Sequence, residues 1–158
     1  MQDAIDVFVG SGHDGTLTSD DIASLTSYGI AVNAKGSSAL GGRTALHWAA
    51  QNRHRAVVTL LLNAGSDPNV ESQYGATSVY WGASMGTADV LRELVTRGGD
   101  INKSNSAGLT PLIILAHFNR GDGMDRLNVL LSYDALDLDA KDDRGKTAED
   151  WSRYRSLC

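Results

Sequence analysis

The chain has 158 residues, 19 acidic against 14 basic, for a formal charge of −5, with 42% hydrophobic and 21% charged types. This is the balance of one folded domain of about 100–200 residues, large enough to bury roughly two-thirds of its unfolded surface without metal or disulfide staples. The single cysteine, Cys158, excludes an internal disulfide framework, no apolar run is long enough for a membrane helix, and no Lys/Arg block marks a nucleic-acid or anionic-membrane binder.

The first residues are acidic (Asp3, Asp6), without the cationic start of a secretory signal, so a reducing compartment, cytoplasmic or nuclear, is expected. A helix is expected near Ala4–Val9. Asp14 to Asp21 has the look of the back half of a calcium-binding loop, but its first two ligand positions fall on Gly10 and Gly12, which offer no oxygen side chain. A helix cap built from Thr18 or Ser19 is the better reading. Asp20–Tyr28 then forms a helix that ends at Gly29.

From here the chain repeats. Four threonines stand two residues after a glycine, at Thr44, Thr77, Thr110 and Thr147, with spacings of 33, 33 and 37. A second series, Asn33, Asn69, Asn102 and Asp139, precedes them, its last three members each by eight residues, and Gly65 and Gly98 follow their threonines by 21. Three markers in phase define a repeat of supersecondary size.

In the second unit Thr44 caps a helix through Ala50, a second helix spans about Arg53–Asn63, and Gly65 and Pro68 end it. The third unit repeats this with Thr77–Ser84, Thr87–Thr96 and Gly98. The fourth opens with Thr110-Pro111, proline being well placed at a first helical position. It carries about four extra residues near Arg120–Gly123, expected to widen the turn between its helices. The tripeptide Arg120-Gly121-Asp122 there is read as a polar turn. Lys146–Leu157 opens a fifth unit. Helices this short are marginal alone, so each pair must bury its apolar face on its neighbours.

The stretch Gly42-Arg43-Thr44-Ala45-Leu46-His47-Trp48-Ala49-Ala50, followed by Leu60-Leu61-Leu62-Asn63-Ala64-Gly65-Ser66-Asp67-Pro68-Asn69, resembles an ankyrin repeat. The likeness is strong over 42–70, good over 75–103 and looser over 108–140. It departs from the family's pattern at Ala45, at Ser78-Val79-Tyr80 and at Ile113. The resemblance implies an all-α ankyrin-type solenoid of stacked helix pairs with projecting β-turn fingers. Residues 1–158 form one such domain: a degenerate unit 1–33, repeats at about 37–69, 70–102 and 103–139, and a partial unit 140–158.

It further implies that His47 ties its helix start to the adjacent finger, and that the protein is a non-enzymatic interaction module, monomeric alone, whose concave face and finger tips hold a partner protein. No catalytic residue, cofactor or metal is expected. None of His13, His47, His54 and His117 forms a metal-spaced pair, and no phosphate-binding loop or nucleophile elbow occurs.

Carried over position by position, the partner surface comprises Arg43, Trp48, Asn52, Tyr74, Trp81, Met85, Leu109, His117, Phe118, Arg144, Trp151 and Tyr154. Several are apolar or aromatic beside arginine, which is hot-spot composition. Trp48, Trp81 and Trp151 share one repeat position, four residues after their threonines, with Ile114 in the remaining slot. Packing between first helices and direct partner contact are both open for this column. Asp67, Asp100 and Asp137, also equivalent, are expected to serve the scaffold. The alternative function is a structural spacer or targeting segment of a larger protein, packed through its terminal units, with its exposed apolar patch at Ala4–Phe8 or Trp151–Leu157.

Overall fold

A computed structural model describes residues 2–118 and 122–156, the side chains of 154–156 excepted. The helices are α1 (Gln2–Asp14), α2 (Ser19–Ser27), α3 (Ala45–Gln51), α4 (Arg55–Asn63), α5 (Ser78–Met85), α6 (Ala88–Thr96), α7 (Pro111–Phe118), α8 (Gly123–Leu131) and α9 (Ala148–Ser156). Among the described residues no strand forms. Asn119, Arg120 and Gly121 of the expected insertion lie outside the described residues, as do Leu157 and Cys158.

The periodic threonines are what start the first helices. Thr77, Thr110 and Thr147 each accept the backbone N–H three residues on (Tyr80, Ile113 and Asp150) at 3.2–3.3 Å, satisfying a donor that the helix leaves orphaned. Thr18 caps α2 in the same way, and the Asp21 carboxylate returns the bond to the Thr18 N–H at 2.8 Å, closing a capping box. The calcium-loop likeness thus resolves into a helix start.

Two boundaries differ from the sequence reading. α1 runs from Gln2 to Asp14, well past Val9, although Gly10 and Gly12 weaken its intrinsic propensity. Gly12 lies so close to α3 that a Cβ there would stand 2.5 Å from the Ala45 carbonyl oxygen, so burial against α3 holds the helix where propensity does not. α4 begins at Arg55 and not Arg53, because Arg53 takes a left-handed conformation with φ of 67° that breaks the helical run.

The helices form two rows. α1, α3, α5, α7 and α9 pack in succession, and α4, α6 and α8 form a second row behind them. Val9, Leu46, Ala49, Val58, Leu61, Val79, Leu91, Leu94, Ile113 and Leu130 fill the space between at 0–1% exposure, as one continuous core. Small residues permit the close approach: Ala49, Ala50 and Ala83 are also fully buried.

Hydrogen bonds to the next unit reinforce the stack. The amides of Asn33, Asn69 and Asn102 accept the backbone N–H of Asp67, Asp100 and Asp137 at 2.7–2.9 Å, and Asn69 and Asn102 donate onward to the Gly98 and Ala135 carbonyls. Asp67, Asp100 and Asp137 in turn accept the N–H two residues ahead, closing their own turns. The three asparagines of the second sequence series therefore form a ladder of side chains stapling each unit to its successor.

Candidate functional site

Turns at Gly42, Gly75, Gly108 and Gly145, all at positive φ of 60–72°, form the fingers. Each finger closes on itself, with Ser72, Asn105 and Asp142 donating to the Ala76, Leu109 and Lys146 carbonyls. Neighbouring fingers are joined in backbone register: Gln73 N–H donates to Gly41, Ser106 to Tyr74 and Asp143 to Ala107, at 2.9–3.2 Å. A Cβ at Gly108 would stand 2.9 Å from the Asp142 Cα, so glycine is needed there for contact as well as for φ. The row of fingers is thus a rigid edge beside the first helices.

His47 fixes that edge to the helices. Its Nδ1 accepts the Thr44 N–H at 3.0 Å, which puts the proton on Nε2, and Nε2 donates to the Ala76 carbonyl of the next finger at 3.0 Å. Complete burial pushes its pKa down from 6.5 to about 4, against the raising effect of the carbonyl.

On the face shared by first helices and fingers, the tryptophan column divides. The Arg43 guanidinium lies over both Trp48 and Trp81, 4.4 and 3.8 Å from their ring centroids, and donates to Gln51 at 2.7 Å. Trp48 also meets His13 edge-on at 5.1 Å. Ile114 is buried with Ala76 and Tyr80, and Trp81 and Leu109 pack against that group. Trp151 donates to the Asp142 carboxylate at 2.9 Å and takes the edge of His117 at 4.4 Å. Trp48 and Trp81 are half-buried as residues, and their indole N–H groups, themselves buried, meet no acceptor.

Two cavities open on this face. One, of about 520 Å³, is lined by Tyr80, Trp81, Met85, Ile114 and Phe118, with Arg53 and Arg126 beside them. The other, of about 360 Å³, lies between α7, α9 and the fingers, among Leu109, His117, Phe118, Asp142, Arg144 and Trp151. Phe118, 48% exposed, is the wall common to both, and Met85 is similarly exposed. Arg144 stands 5.9 Å from the Trp151 ring centroid.

Of the twelve residues assigned from sequence, Trp81, Met85, Leu109, His117, Phe118, Arg144 and Trp151 line one or both cavities. Tyr74 stands apart on its finger, strongly exposed. Arg43 and Trp48 belong to the stacked column, and Asn52 bonds back to the Trp48 carbonyl at the end of α3. The side chain of Tyr154 lies outside the described residues.

Sequence reasoning missed Arg53 and Arg126. Arg126 sits on the buried face of α8, where α4 and α6 bury only aliphatic residues, and donates to the Ala83 and Ser84 carbonyls at 3.1 and 2.8 Å. Arg53 donates to the Met85 carbonyl at 2.9 Å, and both arginines reach the Asp122 carboxylate at 3.4 Å. A charged residue in the apolar stripe of the fourth unit was the available signal.

Residues 41–73 match the family model described as Ankyrin repeat. The chain carries an ankyrin repeat, and its helix pairs and linked turn fingers form an ankyrin-type repeat solenoid. Ankyrin repeats serve in general as protein–protein interaction modules, in proteins that are generally non-enzymatic adaptors. No curated protein matches the chain. No described helix is long and apolar enough to cross a membrane, and no described cluster of His, Cys, Asp or Glu has metal-binding geometry.

Proposed function

We propose that the chain recognises a partner protein through the face of first helices and fingers, the concave side of such a stack, and performs no chemistry of its own. It acts as a monomer in a cytoplasmic or nuclear compartment. The carrying observation is the pair of adjoining cavities that share Phe118, with Trp81 and Met85 in one and Trp151 and His117 in the other. Aromatic and methionine side chains beside arginine are the composition of binding hot spots, and hydrogen-bonded fingers keep the ordering cost of binding low.

Affinity capture with the intact chain and with the Tyr74→Ala, Met85→Ala, Phe118→Ala triple variant tests this. All three side chains are about half or more exposed, so circular dichroism is expected to be unchanged. Partners held by the intact chain should be lost by the variant, and retention of the same partners would refute the reading. A second reading, a spacer packed through a terminal unit, is supported by the exposure of Val7 (71%) on α1 and of Tyr28 (79%), which caps the end of α2.

A further inference from the structure

We propose that the groove between α1 and α2 is a separate docking site that takes a basic amphipathic helix of another protein. It needs nothing from the concave-face reading, and it gives the second reading a partner of definite chemistry. The groove, of about 500 Å³, is floored by Phe8, Leu17 and Leu25, with the exposed Ala4, Val7 and Tyr28 along its rim. α1, with 13 residues, is about 20 Å long, enough to meet apolar anchors at i, i+3/i+4 and i+7 of a docked helix. α2 buries only Ile22, so its other large apolar side chain, Leu25, is left partly open toward the groove.

Charge selects the occupant. Residues 1–33 carry five aspartates (Asp3, Asp6, Asp14, Asp20 and Asp21) and no lysine or arginine, so the whole formal charge of −5 resides in this unit and the remainder of the chain is balanced. Asp3 and Asp21 line the groove itself. The first cation in the chain, Lys35, exerts its field on Glu71 and His47 of the next unit. His13, the single histidine of residues 1–33, pairs with Asp14 at 2.7 Å. An apolar trough lined by carboxylates, in a unit without lysine or arginine, favours a helix with an apolar stripe flanked by lysine and arginine, and disfavours both an anionic membrane and a second copy of the same unit.

The probe is a fluorescein-labelled 18-residue helical peptide with leucine at i, i+3, i+4 and i+7 spacing and lysine elsewhere, titrated against the full chain by fluorescence anisotropy. Its counterpart with every lysine replaced by glutamate should bind at least ten-fold more weakly. Val7→Asn with Tyr28→Asn, both on the surface, should weaken the lysine peptide about ten-fold or more. Asp3→Asn with Asp20→Asn should weaken it several-fold and flatten its salt dependence. Met85→Ala with Phe118→Ala should leave it unchanged, which separates this groove from the concave face.

Equal affinity for the two peptides, no response to the Val7 and Tyr28 changes, or loss of binding in the Met85/Phe118 variant would each overturn the proposal. So would self-association of the intact chain in sedimentation velocity that Val7→Asn with Tyr28→Asn abolishes, since the groove would then belong to a second copy.

Discussion

His47 Nε2 donates to the carbonyl of Ala76, 29 residues along the chain, and this single bond joins the start of one unit's helix to the finger of the next. The imidazole is neutral in the fold, with its pKa lowered from 6.5 to about 4 by burial. Unfolding restores the ordinary value, so the unfolded chain binds the extra proton between those limits. Stability is therefore full above about pH 6.5 and declines as pH falls toward 4, by about 3 kcal/mol in total. The carboxylates of Asp21 and Asp150, held low by hydrogen bonds from Thr18 and Thr147, add their own losses only as pH falls through the acidic range below them. Urea titrations at pH 7 and pH 4.5 should show this decline in the native chain. His47→Gln should be less stable at pH 7 by about 1–3 kcal/mol, through imperfect pairing of Thr44 and Ala76, and should show a flatter pH dependence.

Arg43 over Trp48 and Trp81 combines two cation–π contacts with a hydrogen bond to Gln51. Lysine cannot reproduce the planar fork that makes all three. Arg43→Lys is expected to cost about 1–2 kcal/mol in urea unfolding and to shift the tryptophan emission, with retained helical circular dichroism. Unchanged emission would remove Arg43 from the column.

Arg53 is the only described residue other than glycine with positive φ. Replacing it by alanine or by glycine removes the same bond to Met85, but only alanine keeps the left-handed strain. Arg53→Gly should therefore be more stable than Arg53→Ala by about 1 kcal/mol, read from denaturation midpoints. The reverse order would place Arg53 in an ordinary conformation.

A methyl group at Gly12 would stand 2.5 Å from the Ala45 carbonyl oxygen and 2.8 Å from its Cα. Backbone cannot yield cheaply, so α1 would have to move off α3. Gly12→Ala is expected to destabilise the chain by about 1–3 kcal/mol despite alanine's better helix propensity. Hydrogen exchange should rise chiefly in α1. Gly10→Ala, with no atom near the added carbon, is the matched control and should be neutral or stabilising.

Much of the scaffold was legible because its cues are local. Thr77, Thr110 and Thr147 cap helices through bonds three residues long, and Gly65 and Gly98 turn the chain where a side chain would be strained. The length of α1 was not legible, since Gly10 and Gly12 look like helix breakers until Ala45 is placed against Gly12. Arg126 was missed for a similar reason: its acceptors, Ala83 and Ser84, lie more than forty residues away. The aromatic positions of the candidate site followed from the repeat register. Their grouping around Phe118 did not, because it depends on how α5, α7 and α9 stand beside one another.

The most direct test of partner recognition is site-specific photocrosslinking in cells, with the crosslinking amino acid placed at Met85 in one variant and at Arg92, exposed on α6 in the second row, in another. Crosslinks to a partner protein from Met85, suppressed by adding Phe118→Ala, and none to that protein from Arg92 are expected. Crosslinks to the same protein from Arg92 and none from Met85 would contradict recognition through the first helices and fingers.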